Sequence, residues 1–305
     1  MGPTGAGKSA TALALAEHLP VEIVSVDSAL VYRGLDIGAA KPDRADRERI
    51  PHHLIDILDP SSTYSAGQFL RDAEEAIAAI RARGRVPLLV GGTMLYFHAL
   101  LNGLAELPEA DPELRRELDQ RMAERGSADL HAELKRVDPE AAARIHPNDP
   151  QRIQRALEVF HLTGLPISAL QAERRRPLAH ERPLAIVLSP ARRAELHQRI
   201  ERRFHTMMAA GFLDEVRALR SRPGLTANTP AMRAVGYRQL WAHLDGAYGL
   251  EEGIRRGIVA TRRLAKRQLT WLRTLPIARW LEPGAHDAVA QIVRLYDAPI
   301  DADGS

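Results

Sequence analysis

Gly2-Pro3-Thr4-Gly5-Ala6-Gly7-Lys8-Ser9 decides how the rest of this 305-residue chain is read. The stretch satisfies G-x-x-x-x-G-K-[ST] at every fixed position. Its glycines permit a tight turn, so successive amide N–H groups face one concavity. Ala10-Thr11-Ala12-Leu13-Ala14-Leu15-Ala16-Glu17 follows at once as a helix, and a helix N-terminus favours an anion. Lys8 supplies a charge for the terminal phosphate, and Ser9 a hydroxyl for a magnesium ion. The stretch therefore predicts a P-loop: Gly2, Pro3, Thr4, Gly5, Ala6, Gly7, Lys8 and Ser9 hold a di- or triphosphate group. It leaves open which molecule carries that group. A P-loop ordinarily follows a buried strand, and only Met1 precedes Gly2. The expectation is a start site assigned too late.

Outward from the loop, strands and helices alternate. Val21-Glu22-Ile23-Val24-Ser25-Val26 alternates and is β-branched, so it reads as a strand ending at Asp27-Ser28-Ala29-Leu30. His53–Ile57 is a second candidate. Ser65 caps a helix over 66–83, with Phe69, Leu70, Ala73, Ile77 and Ile80 at helical spacing and Gly84 as its stop. Val86-Pro87-Leu88-Leu89-Val90 is continuously apolar, the mark of a strand buried on both faces. Gly91-Gly92-Thr93 then opens a helix through Leu101. From Pro108 the chain becomes charged, alanine-rich and helical. A breaker at Pro147-Asn148-Asp149-Pro150 precedes a helix over 151–162, and 171–181 reads as an arginine-rich loop. Leu184-Ala185-Ile186-Val187-Leu188 returns as a strand. Helices over 192–220, 229–243 and 251–275 follow, with a short one near 289–296. The fold class expected is α/β: a P-loop-containing parallel sheet flanked by helices, built from residues 1–107 and 181–305, with an all-helical insertion over 108–180.

Hydrophobic residues make up 45% of the chain and charged residues 27%, so it should fold as a soluble globule. There is no cysteine, which excludes disulfides, thiolate zinc sites and a cysteine nucleophile. No apolar run approaches the ~20 residues of a membrane span and no signal peptide precedes the loop, so a cytoplasmic protein without membrane contact is expected. Net charge is only +3. Between Arg255 and Arg279, however, Arg255, Arg256, Arg262, Arg263, Lys266, Arg267, Arg273 and Arg279 follow one another with no acid between them. That is a local basic field suited to sugar-phosphate binding, or else a solvated helix face.

A phosphotransferase of this loop class usually holds magnesium with an acid at the end of a buried strand. Strand 86–90 ends instead in Gly91-Gly92-Thr93. The acid is Asp27, at the end of the first visible strand. Ligands of open α/β sheets bind beyond such strand ends, so Asp27, Thr93 and Lys8 should face one crevice. From the residues alone, Asp27 is either catalytic or a turn cap. Thr93 caps its helix, with or without a second role. Arg203 reads first as a solvated helix charge.

Several stretches together resemble bacterial tRNA dimethylallyltransferases. They are the loop itself, Ser25-Val26-Asp27-Ser28-Ala29-Leu30-Val31-Tyr32, Asp36-Ile37-Gly38-Ala39-Ala40-Lys41-Pro42 and Gly91-Gly92-Thr93-Met94-Leu95-Tyr96. Further along come His146-Pro147-Asn148-Asp149-Pro150-Gln151-Arg152, Val235-Gly236-Tyr237-Arg238 and Lys266-Arg267-Gln268-Leu269-Thr270-Trp271-Leu272-Arg273. The likeness runs in order from Gly2 to about Trp280. It departs from the family at the absent first strand. The zinc finger of eukaryotic members is absent too, as it is in bacterial ones. The resemblance implies transfer of a dimethylallyl group from dimethylallyl diphosphate to N6 of the adenosine just 3′ of a tRNA anticodon. It implies Lys8, Ser9, Arg203 and Mg2+ at the departing diphosphate, Asp27 as base and Thr93 as a residue orienting the nucleotide. It also implies contacts between the anticodon stem-loop and Asp27, Ser28, Ala29, Leu30, Arg115, Gln151, Arg152, Ile153, Gln154, Arg155, Arg233, Gly236, Tyr237, Arg238, Lys266, Arg267, Gln268 and Arg273. A monomer is expected.

Three other readings compete. A small-molecule kinase would need the missing acid after Val90. An adenylate isopentenyltransferase would share the loop and Asp27 without needing the helical insertion or the basic stripe. A nucleic-acid-binding module without catalysis would have no use for Asp27 beside Lys8.

Overall fold

The computed structural model describes residues 1–173, 183–283 and 286–298. It divides into two compact units, Met1–His98 with Glu181–Ser305, and Ala99–His180. The second begins at 99, within a helix, rather than at Pro108.

In the first unit the glycine loop enters α1 (Lys8–Leu15) through Gly5 and Gly7, at φ 81° and 78°. Those left-handed angles suit residues without a Cβ. After β1 (Val21–Val26) come α2 (Arg44–Arg49), β2 (His52–His53), α3 (Ala66–Ala82), β3 (Val86–Gly91) and α4 (Met94–Asn102). Ser65 closes a reciprocal capping box on α3: its hydroxyl accepts from the Gln68 amide at 3.1 Å, and the Gln68 side chain accepts from the Ser65 amide at 2.8 Å. The sheet runs β2-β1-β3, all parallel, with Val26 opposite Gly91 at its carboxyl end.

Two expectations about strands are corrected. The alternating strand β1 is buried at all six positions, whereas the continuously apolar β3 is half-buried up to Gly91. The reason is position, since β1 is central and β3 is an edge. Second, β4 (Ile186–Leu188) does not join that sheet but pairs in parallel with β5 (Arg279–Leu281). Met1 runs alongside β4, its amino group donating to Ile186 O at 2.8 Å and its carbonyl accepting from Leu188 N at 2.9 Å.

The long helices close the unit: α10 (Arg193–Ala209), α11 (Phe212–Arg220), α12 (Tyr237–Leu244), α13 (Leu250–Leu272) and α14 (His286–Asp297). The single helix expected over 192–220 breaks at Gly211, whose φ of 98° ends one helix and starts the next. Their shared core gathers Phe204, Phe212, Val216, Tyr237, Leu240 and Trp241 around Val31 and Leu35. Gly257 of α13 lies so close to Phe204 that a Cβ there would sit 2.3 Å from the ring.

The second unit holds the helices α5 (Pro112–Arg125), α6 (Ser127–Val137), α7 (Pro139–Arg144), α8 (Pro150–Thr163) and α9 (Ile167–Ala172). Asp111, Asp138 and Asp149 each accept from backbone amides at a helix start, with proline at the first helical position. Leu118, Leu130, Leu134, Ile153 and Leu157 fill its core. Of the loop expected over 171–181, residues 174–181 lie outside the described residues.

Candidate active site

The carboxyl ends of β1 and β3 and the glycine loop border one cavity of about 970 Å3. Asp27 follows β1 directly. Its Oδ1 accepts from the Ala29 amide at 2.9 Å, so Asp27 does form the turn that the cap reading expects. It is also coupled electrostatically to Lys8 and Arg203, and all three line the cavity. The turn bond and the coupling belong to one carboxylate.

Lys8 Nζ donates to Pro3 O at 2.9 Å. Loss of hydration brings its ammonium down to about 8; Asp27 pulls it back up and Arg203 pushes it down again. Arg203 retains accessible surface on the cavity side. Protein nevertheless surrounds its guanidinium at longer range, and burial lowers its pKa while Asp27 opposes. An arginine starts so high that it stays charged. Lys8 and Arg203 thus outnumber Asp27, which leaves positive charge for an incoming anionic ligand.

Thr93 begins the turn into α4. Its amide donates to Val26 O at 3.1 Å, and its hydroxyl accepts from the Ser28 amide at 3.0 Å and donates to Ser28 Oγ at 3.3 Å. The side chain therefore ties the β3 end to the β1 end. Gly91 is required beneath it, because a Cβ there would lie 2.0 Å from Val26 O. Ile55, Phe204, Met207, Leu264 and Trp271 give the cavity an apolar wall, and Arg199, Arg202, Arg233 and Arg267 give it a basic rim.

Several residues expected to touch RNA have their side chains engaged within the fold. Ile153 is fully buried in the core of the second unit. Tyr237 is fully buried, and its hydroxyl donates to Glu215 Oε1 at 2.6 Å. Burial, reinforced by Glu215, pushes that phenol's pKa far up. Gly236 is buried against Phe212. Gln268 is 6% exposed and bonded within the protein. Arg115 and Arg155 converge on Glu158, which is fully buried. Burial alone would raise the Glu158 pKa, but the bonds from the two arginines outweigh it and hold the carboxyl down. Gln154 donates to Asp119 Oδ1 at 2.6 Å. Gln151 and Arg152, by contrast, are exposed.

The basic field on α13 is narrower than the bare sequence suggests. Arg255 and Arg256 pair with Glu252, and Arg262 pairs with Glu201 of α10. Lys266, Arg267 and Arg273 remain exposed, without an ion-pair partner among the described residues. Arg233 and Arg238 are exposed on the neighbouring segment.

Sequence reasoning missed Glu215. It accepts from the amides of Asp36, Ile37 and Gly38 at 3.1, 2.6 and 3.1 Å, and so fixes the loop over 36–42 that lines the cavity. Lys41 braces the same loop from inside, 2.5 Å from both Asp36 and Asp56 and 3.0 Å from Tyr32 O. A glutamate on an amphipathic helix carries no local sign of such a task.

Residues 30–275 match the family model of IPP transferase. A tRNA dimethylallyltransferase of Methylococcus capsulatus is 58% identical over 297 residues, spanning 96% of this chain and 95% of that protein. The crystal structure of a tRNA isopentenylpyrophosphate transferase from Bacillus halodurans superposes with a TM-score of 0.70 at 38% identity, over 97% of this chain and 93% of that one. A eukaryotic dimethylallyltransferase, solved while acting on tRNA, gives a TM-score of 0.81 at 28% identity, over 99% of this chain and 80% of that one. With more than half of its residues under the family model and this identity over nearly its full length, the chain belongs to the IPP transferase family.

Proposed function

We propose that the protein is a tRNA dimethylallyltransferase: it moves a dimethylallyl group from dimethylallyl diphosphate to N6 of the adenosine adjacent to the 3′ side of the anticodon and releases diphosphate. The observation that carries this reading is one carboxylate, Asp27, coupled to two cations, Lys8 and Arg203, in a cavity with an apolar wall. A leaving diphosphate needs the cations, a prenyl tail needs the wall, and an amine nucleophile needs the carboxylate.

The loop amides, Lys8 and Arg203 bind the diphosphate and stabilise the charge it gains as it leaves. The N6 lone pair attacks the allylic carbon. The carbon–oxygen bond breaks with its electron pair going to diphosphate, and Asp27 accepts the N6 proton. One Asp27 oxygen is occupied by the Ala29 amide, so the other takes the proton. Thr93, braced on Ser28, orients the nucleotide. The adenine must leave its stack to reach this depth, and Arg233, Arg238, Lys266, Arg267 and Arg273 suit the flanking phosphates.

Among the described residues no group of three or more His, Asp or Glu could hold a metal. That fits Mg2+, which keeps its waters and rides on substrate phosphates rather than in a protein cage. Ser9, exposed at the loop, would be its protein ligand; bound there, the ion would add positive charge at the leaving group. Among the described residues no helix is long and apolar enough to cross a membrane. The reaction belongs to the cytoplasm, where tRNA is.

The test is a competition. With magnesium present, release of diphosphate from dimethylallyl diphosphate should require tRNA, and excess ATP should inhibit it weakly. Tight ATP binding with phosphate release, and no prenyl transfer, would give the kinase reading instead.

A further inference from the structure

We propose that Gln268 is a positioning residue that locks the phosphate loop to the turn carrying Thr93, and through it to Asp27. This rests on the prenyl-transfer reading only where turnover is measured.

Gln268 sits in the basic stretch of α13 but on its opposite face. With Ala265 and Leu272 it forms the buried i, i+3, i+7 row, while Lys266 and Arg267 point outward. Its amide uses both ends. Oε1 accepts from Thr4 N in the glycine loop at 2.9 Å, and Nε2 donates to Gly92 O at 2.7 Å. Gly92 is shaped to allow this, since a Cβ there would stand 2.6 Å from Nε2. From Gly92 the chain passes to Thr93, whose hydroxyl holds Ser28, the residue after Asp27. One side chain therefore closes a bonded path from the diphosphate loop to the carboxylate. In-line transfer needs those two ends fixed to within a fraction of an ångström. A residue serving only the packing of α13 would not need a donor and an acceptor aimed at two different loops.

Two variants separate the possibilities. Gln268→Met keeps the length and loses both bonds. It should still fold, with a thermal midpoint lowered by the two backbone groups left unpaired. Its single-turnover rate at saturating substrates should fall about tenfold or more, as expected for a misplaced reacting geometry. Its tRNA affinity should stay within about twofold of the parent's, because its two partners are protein amide and carbonyl groups rather than phosphates. Gln268→Glu keeps the acceptor for Thr4 but repels Gly92 O until its carboxyl gains a proton. Its rate divided by the parent's should therefore rise as pH falls.

An unchanged rate with weakened tRNA binding would overturn the proposal and make Gln268 an RNA contact. A flat pH ratio would also overturn it, and this arm decides the matter should Gln268→Met fail to fold. If the parent itself transfers no prenyl group, the functional reading fails. The clamp is then judged by inorganic pyrophosphate with Mg2+, whose affinity should drop about tenfold in Gln268→Met, as for a buried amide left unpaired. Equal affinity would refute it.

Discussion

Asp27 shows how one residue carries two readings that sequence alone could not separate. The bond from Ala29 N is what a turn cap makes, and the coupling to Lys8 and Arg203 is what a base beside a leaving group has. Asp27→Asn discriminates between the tasks, because asparagine caps as well as aspartate but accepts no proton. Turnover should fall by ~10²–10⁴, the range for a positioned general base, while affinity for dimethylallyl diphosphate barely moves. Near-full turnover in a folded variant would leave Asp27 with the turn alone. Lys8 gives a prediction in pH. Its free ammonium is brought down to about 8, and a bound diphosphate favours the charged form. Binding should take up a proton near that pH, and affinity should weaken as pH rises through it. Lys8→Met should bind more weakly and lose that dependence; calorimetry in buffers of different ionisation enthalpy reads both. What sequence hid was action through the fold: Glu215 carried no signal, and Lys41 and Gln268 lay in recognised motifs whose bonding partners only tertiary contacts supply.

At the scale of elements, α13 is the clearest case of a helix with two different faces. Its buried row carries Gln268, and its outer face carries Lys266 and Arg267, with Arg273 just past its last turn. Neutralising Lys266, Arg267 or Arg273 should weaken tRNA binding and flatten its salt dependence by roughly one phosphate contact each. Diphosphate binding should not change on losing Lys266 or Arg273. Unchanged tRNA affinity would make the stripe a solvated face. The helix and its charges were legible from spacing, but the ion pairs that remove Arg255, Arg256 and Arg262 from the field come from Glu252, just before the acid-free run, and Glu201 on another helix. Strand β1 offers a stability test. Glu22 is 5% exposed, with Arg83 Nη2 at 2.7 Å and His53 Nε2 at 2.7 Å. The Arg83 bond is the main reason its carboxyl lies at about 2 rather than 4.5, with burial opposing and His53 helping. A depressed carboxylate contributes stability above its unfolded value and loses it as pH falls through the folded one. Stability should therefore decline from about pH 4.5 toward 2, and Glu22→Gln should remove that part of the slope. Water around half-exposed Arg83 limits the loss, so Glu22→Gln should cost about 2 kcal/mol at neutral pH by chemical denaturation.

Across the whole molecule, alternation of strand and helix announced a mixed α/β fold, and the change in texture near residue 108 announced a helical unit. The pairing of strands was less legible. Apolar continuity marked 86–90 as the most enclosed strand, yet enclosure depends on which strands flank it, and β1 holds the centre. Likewise nothing local to Ile186–Leu188 tells that its partner is Arg279–Leu281, nearly a hundred residues on. The candidate site was legible earlier than the sheet, because a glycine loop with Lys8, a strand-end acid and a turn of glycines are short segments that sequence displays whole. Their union in one cavity, with cations and an apolar wall, makes the central claim a claim about a reaction. It is tested most directly by mass spectrometry of nucleosides from unmodified tRNA incubated with the protein, dimethylallyl diphosphate and Mg2+. The account predicts one new nucleoside, an adenosine carrying a dimethylallyl group on N6, from the position 3′ of the anticodon. It also predicts no such product from tRNA with another base there. Unmodified tRNA after complete incubation with folded protein, or the same group appearing on free adenine nucleotides instead, would contradict it.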